Sequence, residues 1–194
     1  MPENPLINIV RTICKLEDWI LGEVWSPVEH CDYLNFSGEW HDATSDKVLK
    51  DFILSSKDKR FFKGVGLVGR IWESQKPEWI YDIQNVSCDR FVRSDEASQA
   101  GLRTAMGFPI VIDTVVSSVI VLFNDKPKPI DRKLIANLCG SFGNVEIGTD
   151  GNIEQAERLK QLTNFEISRV SEMIRLGKEV EELKSRLSKS KKII

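Results

Sequence analysis

The residues that could carry chemistry are few and scattered. Cys14, Cys31, Cys88 and Cys139 form no Cys-x-x-Cys pair, and neither histidine, His30 or His41, stands at metal-ligand spacing from them. That pattern indicates no zinc site and no disulfide framework, so four reduced thiols are expected. Cys88 is followed by Asp89 and Arg90, giving it a cationic neighbour of the kind a redox thiol needs. The second chemical candidate is Gly64-Val65-Gly66-Leu67-Val68-Gly69. Gly-x-Gly-x-x-Gly is also the spacing of a dinucleotide turn, which requires an acidic residue about 20 positions on, ending a second parallel strand. That βαβ context is missing. The glycines instead predict a tight, close-packed turn opening a helix. No cofactor and no catalytic constellation are predicted.

These residues need elements to hold them. Leu6, Ile9, Val10, Ile13, Leu16 and Ile20 make an amphipathic helical stripe that ends near Gly22. Residues 23–30 and 31–40 read as two strands, and Thr44-Ser45-Asp46 starts a helix whose apolar face is Val48, Leu49, Phe52 and Ile53. The charged run at 57–60 reads as a solvated loop. Beyond the glycine turn, residues 79–83 make a short strand, 85–90 a loop, and a helix starts near Phe91 or Ser94. Val and Ile dominate 105–112 and 115–123, and Asp113-Thr114 interrupts them with turn chemistry, so a central hairpin is predicted. Leu134, Ile135, Leu138, Phe142, Val145 and Ile147 give the last domain helix its apolar face.

Residues 148–152 are rich in turn formers, and the character of the chain then changes. From 153 to 188 there is no proline and a dense mix of Glu, Lys, Arg and Leu, the composition of a coiled-coil helix. Met173, Leu176, Val180, Leu183 and Leu187 follow seam spacing, whereas Ile167, Val170 and Ile174 fall out of phase. Two units are therefore expected, a globular domain over 1–148 and a dimerising helix over 149–194. With 194 residues, 41% of them hydrophobic, the chain has enough for one such core and an appendage. A net charge of −2 offers no global attraction to nucleic acid or anionic lipid. No signal peptide and no apolar run of membrane length is present, so a cytoplasmic location is expected.

The order of pieces between Gly64 and Pro109, and more broadly over residues 5–148, resembles the GAF family of small-molecule sensory domains in its bacterial and cyanobacterial signalling form. The resemblance implies an α/β fold, with a central antiparallel-rich sheet of about six strands flanked by helices. It implies a ligand cavity between the sheet and a lid after residues 79–83. Trp72, Tyr81, Phe91, Leu102 and Phe108 are placed near that cavity, with Asp82, Arg93 and Arg103 as polar contacts. It implies a homodimer through the N-terminal and C-terminal helices that relays to a kinase or other signalling protein. Departures from the family's specialised members narrow the reading. Bilin attachment uses a cysteine followed by histidine, but Cys88 precedes Asp89; the cyclic-nucleotide motif survives only in fragments around Asn124-Asp125-Lys126. The methionine-sulfoxide-reducing member carries a cysteine where this chain has Val68, and Cys88 only loosely matches its lid cysteine. A binding module without enzymatic activity is expected. The alternatives are a dimerisation scaffold without ligand, a cysteine redox sensor, or a reductase-like enzyme. With no histidine beyond His41, the C-terminal helix cannot be a histidine-kinase phosphoacceptor; the chain is either a freestanding sensor or a piece of a longer protein.

Overall fold

The computed structural model describes residues 5–112 and 114–142, together with Leu183. The dimerising helix expected over 149–194, like Val145 and Ile147, lies outside the described residues, Leu183 excepted.

The first apolar stripe forms helix α1 (Pro5–Glu17), with Leu6, Ile7, Ile9, Val10, Ile13 and Cys14 buried. It stops short of Ile20 because Asp18 turns left-handed, at φ 54°, and the amide of Trp19 returns to the carbonyl of Cys14 at 3.0 Å. Lys128 Nζ donates to the carbonyls of Glu17 and Asp18, closing that end with a cation. The apolar face of α1 is thus covered within a single chain, leaving Leu16 as its exposed large apolar residue.

Strands β1 (Leu21–Pro27), β2 (Tyr33–Asp42), β3 (Arg60–Phe62), β4 (Glu78–Ile80), β5 (Thr104–Ile112) and β6 (Val115–Asn124) form one sheet in the order β3-β2-β1-β6-β5-β4. Every neighbouring pair is antiparallel. The predicted hairpin is β5–β6, with Phe108 opposite Ile120. Alternation along β1 and β6 divides the core into two layers. On one face Leu21, Trp25, Val119, Val121 and Phe123 pack against Phe52, Ile53, Ile71, Phe91 and Leu102. On the other, Val24, Met106, Phe108, Ile120 and Leu122 meet α1 and helix α5 (Arg132–Phe142).

The first face is covered by helices α2 (Lys47–Ser55), α3 (Gly66–Ser74) and α4 (Ser94–Gln99). Asp46 caps α2 as its position predicts, its carboxylate accepting from the amide of Val48 at 2.8 Å. The glycine turn places α3. Gly64 and Gly66 adopt φ of 75° and 61°, and a Cβ on Gly69 would lie 2.0 Å from the carbonyl oxygen of Phe62. Here the glycines serve close backbone approach, with the amide of Gly64 donating to the carbonyl of Gly69 at 3.0 Å.

The run at 57–60 is solvated as expected, with Lys57, Asp58 and Arg60 exposed, but it is not a loop. Residues 56–58 make a 3₁₀ turn and Arg60 starts β3, with its guanidinium 5.1 Å from the Tyr33 ring. Three strand residues are too few to show an alternating pattern.

Burial sorts the thiols. Cys14 lies on the buried face of α1 with its pKa pushed up by burial to about 12, and burial also raises that of Cys139. Cys88 is exposed and Cys31 half-buried. A thiol reagent at mildly alkaline pH is expected to modify Cys88 first in the native protein, and Cys14 and Cys139 only on unfolding. Peptide mapping of partially labelled protein checks this order.

Candidate functional site

The helical face of the sheet contains a buried polar cell. Period-two alternation in Leu21-Gly22-Glu23-Val24-Trp25 puts Glu23 on the same face as Leu21 and Trp25, fully enclosed. Its carboxylate is met from across the layer by Arg93, the residue preceding α4, whose Nη1 donates to Oε1 at 2.7 Å. Both side chains are about 2% exposed or less. Ser56 Oγ donates to Glu23 Oε2 at 3.2 Å, and Arg93 Nη2 to the carbonyl of Phe52 at 3.4 Å. The guanidinium stands 4.0 Å from the Phe52 ring centre and 5.8 Å from that of Trp25. Two donors of this cell, Arg93 Nε and Trp25 Nε1, are buried without an acceptor among the described residues. On the opposite face Trp19 Nε1 is in the same condition.

The segment from 82 to 103, which carries Arg93, is closed at its two ends by one ion pair and tied to the rest of the domain by a second ion pair and a hydrogen bond. Arg103 Nε and Nη2 embrace Asp82 Oδ1 and Oδ2 at 2.8 and 2.7 Å. Lys59 Nζ meets Glu96 Oε1 at 2.6 Å. From α3, Arg70 grips Glu78 with Nε and Nη2, and its Nη1 donates to the carbonyl of Arg90 at 2.8 Å. Beside Arg70 and Arg90 runs an open surface groove of about 600 Å³.

The hydrogen bonds from Arg103, with lesser ones from the Gln84 amide and Asn85, hold the Asp82 carboxyl below the usual carboxylate range. A carboxyl with a lowered native pKa stabilises the fold above its unfolded pKa, and that contribution disappears as pH falls through the native value. Denaturant midpoints of wild type are therefore expected to fall more steeply below about pH 4 than those of Asp82→Asn, which loses stability at neutral pH but has less left to lose in acid.

Of the residues predicted to share a cavity, the structure brings Phe91, Arg93 and Leu102 together in the helical-face core. Trp72 packs half-buried at its margin, with Lys63 Nζ 5.1 Å from its ring centre. Asp82 and Arg103 pair with each other rather than pointing at a shared space. Tyr81 and Phe108 do not join the group. Tyr81 is 58% exposed, and Phe108 has the parity of Met106, which turns it to the α1–α5 face, 5.7 Å from the Phe142 ring centre. The sequence reading missed Glu23, Trp25 and Ser56. The signal available was an acid alternating with two large apolar residues in a predicted strand, since a buried carboxylate requires a cation. Among the described residues, no group of His, Cys, Asp and Glu could hold a metal, and no helix is long and apolar enough to cross a membrane.

This architecture, a six-stranded antiparallel sheet between α1–α5 and a three-helix lid layer, is the GAF fold. The GAF domain/HD domain protein from Geobacter sulfurreducens superposes with a TM-score of 0.54 over 87% of this chain and 91% of that one, at 10% identity. The free methionine-R-sulfoxide reductase from Neisseria meningitidis, solved in complex with its substrate, gives a TM-score of 0.54 over 87% and 78%, at 12% identity. In sequence, the chain is 26% identical over 145 residues to Protein NLP2 of Oryza sativa subsp. japonica. That stretch covers 70% of this chain and 15% of the plant protein. No family model matches. At these identities the likeness to the solved structures extends to the fold.

Proposed function

We propose that this chain is a regulatory GAF-type module, without enzymatic activity, that binds a small molecule on the helical face of its sheet. It signals by a population shift in the segment 82–103. The observation that carries this reading is the Glu23–Arg93 cell, which encloses two donors without acceptors at the point where that segment meets the central strand. A ligand that satisfied those donors would favour one packing of α4, because Arg93 immediately precedes it. The change would then pass through the terminal helices to a dimer partner and a downstream signalling protein in the cytoplasm. The long helix over 149–194 would be the relay.

A reductase-like reading has less support. Val68 occupies the glycine turn, Cys88 lies at the surface, and Cys14 and Cys139 are buried on the other face with suppressed thiolate character. The competing binding-free reading is a dimerisation scaffold.

The deciding experiment starts from protein purified without added ligand, with its absorbance spectrum and native mass recorded. Small metabolites are then screened by thermal shift, with hydrogen exchange of residues 82–103 as the second readout. A ligand that raises the melting temperature and slows exchange in that segment supports the sensor. A bare dimer insensitive to every compound overturns it in favour of the scaffold.

A further inference from the structure

Helix α1 comes closest to the sheet at a glycine. A Cβ on Gly22 would lie 2.4 Å from Val10 Cγ1 and 3.3 Å from Cys14 Sγ, so the helix rests almost on the β1 backbone there. The residue opposite Gly22 in the neighbouring strand is His41 of β2. Opposed residues of an antiparallel pair point to the same face of the sheet, which puts the imidazole on the α1 side. β3 pairs with β2 only at Tyr33, Leu34 and Asn35, so His41 stands at an open margin of the sheet, half-buried rather than sealed. Protons can reach it.

Among the described residues, the charges that bear on His41 come from two elements. Helix α1 supplies Arg11, the residue after Val10. Its own strand supplies Asp42, whose Oδ1 already accepts from the amide and the hydroxyl of Thr44 at 2.8 and 2.7 Å. β1 and β6 offer Gly22 and Leu122, neither charged, and Glu23 lies on the opposite face. Burial first, and Arg11 second, lower the pKa of His41 against a smaller opposing pull from Asp42. The fold therefore favours neutral imidazole. Its contribution to stability is complete above the unfolded-state pKa of about 6.5 and is lost as pH falls below that value through the native one. The other titrating groups of α1 do not act this way. Cys14, at about 12, stays a thiol throughout, and Glu17, raised by burial and by Asp131, adds stability when it takes up a proton.

We infer that His41 makes the contact between α1 and the sheet a proton-operated switch: below about pH 6 an imidazolium and the Arg11 guanidinium share one half-buried margin, and α1 loosens from β1 and β2 before the rest of the domain opens. The switch does not depend on a ligand at the helical face, because α1 packs on the other side of the sheet.

The test is hydrogen exchange of the full chain, corrected for intrinsic chemical exchange, with α1 compared against the β5–β6 hairpin. The amides of Val10, Ile13 and Cys14 are expected to exchange at least about threefold faster at about pH 5 than at about pH 7.5, while the hairpin holds its rate. His41→Gln keeps a polar side chain that cannot charge and should flatten the α1 response. Arg11→Gln removes the second cation and should cut the response to roughly half. A response equal to wild type in either variant overturns the switch, and so does a wild type in which α1 and the hairpin accelerate together. Should His41→Gln fail to fold, NMR titration of the wild type decides in its place, with His30 as the chain's other histidine for comparison. The α1 amide shifts are then expected to follow the His41 ring through its midpoint, and shifts that follow a different midpoint overturn the switch.

Discussion

Gly69→Ala is expected to disrupt the domain, at a cost of at least about 4 kcal/mol, the range reserved for a backbone or core site that cannot adjust. The added methyl would meet the Phe62 carbonyl oxygen at 2.0 Å. That oxygen belongs to β3 and accepts from the amide of Val65, and the Gly69 amide itself donates to the Val65 carbonyl at 3.1 Å. Neither partner is the far end of a flexible side chain. Relief therefore requires moving the start of α3 away from β3, which breaks the turn and displaces Leu67, Val68 and Ile71 from the helical-face core. Two glycines calibrate the result. Gly101 has φ 74° but nothing within 4 Å of a built Cβ, so Gly101→Ala should cost only the left-handed backbone penalty, about 1–2 kcal/mol. Gly140 sits in α5 with open space around it, and Gly140→Ala should stabilise by up to about 1 kcal/mol. Urea midpoints of the three variants test the order. A Gly69→Ala protein as stable as Gly101→Ala would show that the glycine turn is not built by close approach.

The same turn marks what can be read from residues alone. Two- and three-residue glycine spacing before an apolar stretch has a local meaning, and so do Asp46 before α2 and Asp113-Thr114 between runs of Val and Ile. Each of these features is settled within a few residues by backbone sterics or capping. Phe108 illustrates the first limit. Its parity with Met106 and Ile110 follows from strand periodicity, but which face of the sheet that parity serves depends on where α1 and α5 dock. Tyr81 illustrates the second: one aromatic following a three-residue strand offers no periodicity to decide whether it turns inward. The Glu23–Arg93 pair illustrates the third. Its members are 70 positions apart, joined only when β1 takes its place beside β6 and the lid segment crosses it, so no local pattern contains it. Half of the pair was still legible, because an acid alternating with Leu21 and Trp25 demands a cation from somewhere.

Arg93→Met is the second large effect. It removes the guanidinium and leaves Glu23 enclosed, with Ser56 Oγ as its remaining donor among the contacts described. Breaking a buried pair from one side costs about 3–5 kcal/mol, chiefly through the uncompensated charge rather than the lost attraction. Arg93→Met/Glu23→Gln is therefore expected to be more stable than Arg93→Met alone, since the amide removes the charge and keeps a hydrogen-bonding partner for Ser56. The coupling energy from the double-mutant cycle should fall toward the upper end of the range of about 0.5–3 kcal/mol seen for residues in contact. The pair also joins the central strand to the residue before α4, so its loss should be felt locally first. Hydrogen exchange at Ser94 and Ala97, whose amides bond Phe91 and Arg93 carbonyls at 2.9 Å, is expected to accelerate more than exchange in the β5–β6 hairpin. Uniform acceleration across both regions would mean that the pair supports only global stability, and the lid segment would lose its claim to be the element that moves.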